Sequence, residues 1–184
     1  MQAKRMPMNT LPKSITQELL GFCQSISSER PVYVRSKRSS DAQMSACFDN
    51  VARKISRAGG AVAYGWAIWH MPGLYFEAEH HGVWRKRNGE LIDVSPQLGD
   101  VSKILFLPDA ASVYDPTRFR SNVIAAVEDT PIATEFVALA KARNTILDRY
   151  RTGEHIAVML NAADQSTLDT ITHRLNELWK LAGN

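Results

Sequence analysis

Within the 184-residue chain, three side chains have types and an order suited to thiol chemistry on an acyl carbon: Cys47, then His81, then Asp93. A cysteine attacks as its thiolate, and a free thiol of pKa ~8.5 is only about 3% ionised at pH 7. The positive end of a helix dipole and a neighbouring imidazolium both raise that fraction. A histidine serving this way needs a carboxylate or amide to fix its ring and tautomer. Cys47 thus reads as nucleophile, His81 as general base and acid, and Asp93 as orienter. The bland readings compete. Free cysteine is among the most buried residue types, a description that prevails at Cys23 on its apolar helix face and competes at Cys47. Asp93 also suits a simple turn cap before Pro96.

The elements that must position these groups follow from periodicity. Ile15, Leu19, Phe22 and Ile26 predict a short helix over 14–25, and Val32-Tyr33-Val34 an extended piece after Pro31. A second helix, from Ser40 or Ser45 to Ala58, buries Phe48, Val51, Ala52 and Ile55 on one face and stops at Gly59-Gly60. Cys47 lies near its front. The period then changes: 61–69, 74–85 and 91–94 are rich in aromatic and branched residues, with Asn88-Gly89 as a hairpin signal. If that hairpin forms, His81 and Asp93 land on adjacent strands. A further strand is expected at 104–107, and helices at 116–127, 131–150 and 166–181. The expected fold is α+β: a Cys-bearing helix packed on an antiparallel sheet, with additional C-terminal helices. We read 1–184 as one domain, with a catalytic-type core over 40–110 and a helical part over 115–184 that has no chemical assignment.

The run Cys47-Phe48-Asp49-Asn50, then Gly59-Gly60, then Glu77-Ala78-Glu79-His80-His81-Gly82-Val83-Trp84, then Asp93-Val94-Ser95-Pro96 resembles the transglutaminase-like branch of the papain-like fold. In that branch a helix carries the Cys, a strand carries a His followed closely by Trp, and the next strand ends in Asp-x-Thr-Pro or similar. The stretch from Glu77 to Pro96 is still more similar to small, stand-alone bacterial proteins of unassigned activity. The resemblance covers Cys47 to Pro96 and none of the C-terminal helices. It implies a papain-like core with Cys47, His81 and Asp93 at the matched positions, and a hydrolase or acyltransferase activity. Trp84 stands three residues after His81 where two is usual, which keeps His80 or a bulge in play, and Ser95 replaces the commoner Thr.

Strand pleat separates the two histidines. Phe76, Ala78, His80, Gly82 and Trp84 share one face, the more apolar; Tyr75, Glu77, Glu79, His81, Val83 and Arg85 share the other. The two rings point apart and cannot easily share a metal. The family pattern favours His81. Gln43 and Asn50 flank the thiol; Gln43 is either a weak oxyanion-hole amide or the third residue of a helix capped by Ser40. Trp66 and Trp69 belong to the core or a cleft wall, with Trp66 the candidate cleft lip. Glu77 and Glu79 read as a solvated face. No zinc-ligand spacing is present among His70, His80 and His81 with those acids, and Gly59-Gly60 lacks the sequel of a phosphate cradle.

Composition narrows the class. With 45% hydrophobic and 22% charged residues and two cysteines, the chain is neither disordered nor a disulfide scaffold. Polar residues follow Lys4 and Arg5 where a signal peptide is apolar, and the longest near-apolar run, 61–69, is too short for a bilayer. The expected setting is cytoplasmic, with no membrane partner. Basic clusters at Arg35-Ser36-Lys37-Arg38, Arg53-Lys54 and Arg85-Lys86-Arg87 lie in separate segments and fit no recognised motif, so they read as solvated charge rather than a nucleic-acid site. The leading expectation is a cofactor-free, metal-free thiol enzyme acting on a protein, peptide or small amide: peptidase, amidase, deamidase or transglutaminase. The alternative is a non-catalytic scaffold offering its C-terminal helices to a partner.

Overall fold

The computed structural model describes residues 9–97, 99, 101–151 and 159–183; Lys4 and Arg5 lie outside them. Among the described residues the elements are α1 (Gln17–Gln24), β1 (Val32–Ser36), α2 (Cys47–Ala58), β2 (Ala61–Met71), β3 (Tyr75–Arg85), β4 (Leu91–Asp93), β5 (Lys103–Pro108), β6 (Val123–Ala126), α3 (Pro131–Asp148) and α4 (Ala162–Leu181). The class is α+β. The sheet runs β2-β5-β1-β4-β3-β6, and an added β2–β3 pairing curls it into a small barrel. No helix among the described residues is long and apolar enough to cross a membrane.

The chain divides into two compact units. The first comprises 11–69 and 78–114. Its barrel interior is filled by Val34, Ala67, Trp69, Val83, Ile104 and Phe106, placed by the registers Val34↔Ile104 and Ala67↔Phe106. Helix α2 lies over a separate cluster of Val51, Ile92 and Val94 edged by Ile55, Val62 and Trp84. Strand alternation explains the split: Val83 points inward, while its neighbour Trp84 belongs to the cluster of α2.

Two expectations need correction here. The sheet is not wholly antiparallel, because β1 runs parallel to β4 with Ser36 opposite Asp93. A parallel pair needs a long crossover, which α2 and the β2–β3 hairpin supply. Helix α2 also begins at Cys47 rather than at Ser40 or Ser45. Ser45 sits at φ 58°, a left-handed conformation that a right-handed helix cannot contain.

The second unit comprises 70–77, 115 onward and the described residues before 11. Ile124, Val137, Ala140, Ile146, Leu168, Ile171 and Leu175 form its core, with Tyr75 and Phe136 packed against it. Thr130 and Asn161 cap α3 and α4 by accepting from the N–H groups of Ala133 and Asp164. Arg174 makes a bidentate pair with Glu135 at 2.7 and 2.9 Å, joining the two helices. The helix expected over 116–127 is replaced by strand β6. Asp115 caps a turn at Thr117 (2.9 Å), and the branched pair Val123-Ile124 follows as extended chain.

Candidate active site

Cys47 is the first residue of α2 and is half-buried. The preceding Ala46 provides no side-chain cap, and the first main-chain helical bond joins Asn50 N–H to Ala46 C=O at 2.9 Å. The N–H groups of Cys47, Phe48 and Asp49 therefore lack intrahelical acceptors, and the positive end of the helix is concentrated at the thiol.

Two contacts seat this end of α2 on the sheet. A Cβ at Gly82 would meet the Phe48 ring at 2.8 and 3.0 Å, so only glycine beside His81 lets the helix come this near. Phe48 is in turn stacked on Tyr114 at 4.1 Å. Asn50, 2% exposed, clamps the loop ahead of the helix to the loop after β4. Its Oδ1 accepts from Gln43 N–H at 2.9 Å, and its Nδ2 donates to Gln43 C=O at 2.8 Å and Ser95 Oγ at 3.1 Å. Arg53 donates to the same Oδ1.

The β3–β4 register pairs Trp84 with Ile92. Continued one step, it sets Asp93 opposite Val83, on the His81 face and diagonal to that ring. His81 Nε2 lies 3.1 Å from Asp93 Oδ1; the ring is 5% exposed and Asp93 is 0% exposed. Oδ1 also accepts the Ser95 N–H at 3.1 Å, and Oδ2 accepts Gln97 Nε2 at 2.9 Å and Ser36 Oγ at 3.2 Å. Asp93 thus caps a turn and holds the histidine at once. With Nε2 on Asp93, Nδ1 is the ring nitrogen left for a second partner.

Burial is the largest influence on His81 and opposes its charge. It is outweighed by the negative charge of Cys47, by hydrogen bonds to Asp93 and Cys47, and by the Asp93 charge, so the ring holds its proton well above the ordinary histidine range. Burial likewise raises Asp93, but the hydrogen bond and charge of His81, with the Ser95 N–H and Gln97 amide, bring it below the usual carboxylate value. The arrangement sets Cys47, His81 and Asp93 in sequence.

The other expected residues fall elsewhere. His80 donates from Nε2 to Ser112 C=O at 2.6 Å and packs against Phe48 and Trp66. The His80 face of β3 is the better covered, with Phe76, Ala78 and Gly82 buried and no residue exposed, yet His81 itself is buried while His80 is half-buried. Asn50 spends its whole amide on the clamp and has no donor left for an oxyanion, while Gln43 engages it through the main chain. Trp66, 5% exposed, bonds Asp109 Oδ2 at 3.0 Å and is no cleft lip. Glu79 accepts from Trp69 Nε1 at 3.0 Å, and Glu77 from Asn122 at 2.7 Å. Cys23 is buried, and burial pushes its thiol up to about 11. Ser36, Ser95 and Gln97 were not foreseen; only Ser95, two residues after an aspartate, carries a local turn signal. Among the described residues no group of three or more His, Cys, Asp or Glu could hold a metal ion.

No family profile matches the chain, and comparison with curated proteins and with solved structures gives no match.

Proposed function

We propose that the chain is a thiol enzyme acting on an amide or acyl carbon, with Cys47 as nucleophile, His81 as general base and acid, and Asp93 as the residue that orients the ring. The observation that carries this reading is the buried His81–Asp93 pair, with Cys47 close enough to favour the protonated ring. A second support is the uncapped first turn at Cys47. Its main-chain N–H groups suit the oxyanion of a tetrahedral intermediate. The papain-like, transglutaminase-like core suggested by the Cys47–Pro96 motifs belongs to the same proposal.

In this mechanism the Cys47 sulfur bonds the carbonyl carbon and the carbonyl electron pair moves to oxygen. On collapse the C–N bond breaks, and His81 gives its proton to the departing amine. The neutral ring then takes a proton from water or a second amine, which attacks the thioester, and Cys47 leaves as thiolate. Water makes the enzyme a peptidase, amidase or deamidase; an amine makes it a transglutaminase.

The test is a panel of glutamine-bearing peptides assayed for ammonia release and for incorporation of a fluorescent primary amine. The native chain is expected to give signal that Cys47→Ala and His81→Ala abolish. Turnover that survives Cys47→Ala overturns the proposal, and an inactive native chain whose Cys47→Ala variant has no phenotype favours the scaffold reading.

A further inference from the structure

The basic clusters that lie apart in the sequence converge in space. Arg35, Lys37 and Arg38 from the end of β1, Lys54 and Arg57 from α2, and Lys86 from the end of β3 line one cavity of about 440 Å³. Asp41 and Glu90 are its acidic members, which leaves a surplus of four positive charges in a chain whose net charge is +3. The remainder of the protein is therefore slightly acidic, and the field is focused here. The acids are already engaged: Asp41 faces Arg57 at 2.8 Å and Arg53 at 3.5 Å, and Glu90 takes Lys86 at 2.7 Å. Among the described residues Arg35, Lys37, Arg38 and Lys54 have no ion-pair partner within 4.0 Å.

The wall is also preorganised. Lys37 N–H bonds Asp93 C=O at 2.7 Å and Ser39 N–H bonds Val94 C=O at 3.0 Å, laying the basic segment along β4. Lys54 and Lys86 hold their ammonium groups 4.9 and 5.8 Å from the Trp84 ring centre.

We propose that this cavity is a binding site for a small diphosphate-bearing molecule. One phosphoryl group brings only about two negative charges, so a surplus of four fits two. Arg35 and Arg38 offer the planar forks that grip phosphate oxygens, and Lys37 and Lys54 add point charges. Trp84, Ile92 and Val94 give an apolar wall for the rest of the molecule. The volume is that of a small-ligand pocket rather than a stripe that tracks a nucleic-acid backbone. The proposal goes beyond the thiol chemistry and does not depend on it.

The test is calorimetric titration of the full chain with sodium pyrophosphate at low ionic strength, with thermal melts to check folding. Saturable one-to-one binding that weakens with added salt is expected. Arg38→Ala and Lys54→Ala should each weaken it about ten-fold or more, Arg38→Lys less, and Lys141→Ala on the exposed face of α3 not at all. Absence of binding at millimolar pyrophosphate overturns the proposal, as does binding that both folded alanine variants retain. So does capture of single-stranded oligonucleotides with affinity that grows with length and that pyrophosphate does not displace.

Discussion

Asp93 offers the sharpest energetic prediction, because one carboxylate serves four donors. Truncation in Asp93→Ala strands His81 Nε2–H and the Ser95 N–H, both on residues at most 5% exposed. Ser36 and Gln97 are half-buried, where water can replace the lost acceptor. A buried donor left without a partner costs about 1–3 kcal/mol, and removing one member of a buried charge pair about 3–5 kcal/mol. The two routes agree on roughly 3–5 kcal/mol. At about 2–4 °C per kcal/mol for a chain of this length, the melting temperature falls by roughly 6–20 °C. Asp93→Asn keeps Oδ1 for both buried donors and loses the charge and the Oδ2 acceptor, so it destabilises less than Asp93→Ala. The assay is thermal unfolding of both variants at pH 6, paired with NMR titration of the His81 ring. In Asp93→Asn the fold persists while His81 gives up its proton at lower pH than in the native protein. An alanine variant melting within about 2 °C of native, or an unchanged His81 titration in the asparagine variant, refutes the reasoning.

Further outcomes follow from the same geometry. Cys47→Ala removes a negative charge and a hydrogen bond that favour the imidazolium, so the His81 titration moves to lower pH while the melting temperature changes little; a stationary titration contradicts this. The native His81 holds its proton more tightly than an unfolded histidine, so its contribution to stability is full below pH ~6.5 and is lost as pH rises through the folded-state value. Asp93 is shifted the other way, so its contribution is present above pH ~3.9 and is lost as pH falls through its own folded-state value. Denaturant midpoints should therefore peak between these limits in the native chain and lose that peak in His81→Ala. Gly82→Ala drives a methyl to 2.8 Å from Phe48, which costs about 1–3 kcal/mol and lowers Cys47 alkylation at neutral pH; unchanged alkylation argues that α2 is not seated through this contact. Asn50→Ala frees the clamp between Gln43 and Ser95 and costs about 2–3 kcal/mol, read by urea unfolding.

Much of the site was legible because its signals are local. The Asn88-Gly89 turn sets the β3–β4 register, and the register alone brings His81 and Asp93 to one face. The Gly59-Gly60 stop and the Val51–Ile55 spacing marked α2 well enough to place Cys47 near its front. What escaped depends on partners far away in the chain. Ser36 reaches Asp93 only through the parallel β1–β4 pair, and nothing in either segment announces that crossover. Asn50 is a polar residue on the buried side of an amphipathic helix, a pattern that periodicity ignores and hydrogen bonding explains. Charges scattered over three segments carried no sign of the cavity that gathers them. The start of α2 is hidden for a backbone reason: serine gives little warning of the positive φ at Ser45.

The most direct measurement of the central claim is the pH dependence of iodoacetamide alkylation, read separately at Cys47 and Cys23 by peptide mass spectrometry, in the native chain and in His81→Ala. The account predicts that Cys47 is alkylated far faster than Cys23, which stays unreacted up to about pH 9 while the chain is folded, and that His81→Ala slows Cys47 alkylation and changes its profile. A Cys47 that is inert while folded, or one with the same profile whether or not His81 is present, contradicts a thiol–imidazole pair and removes the physical basis for an enzyme here.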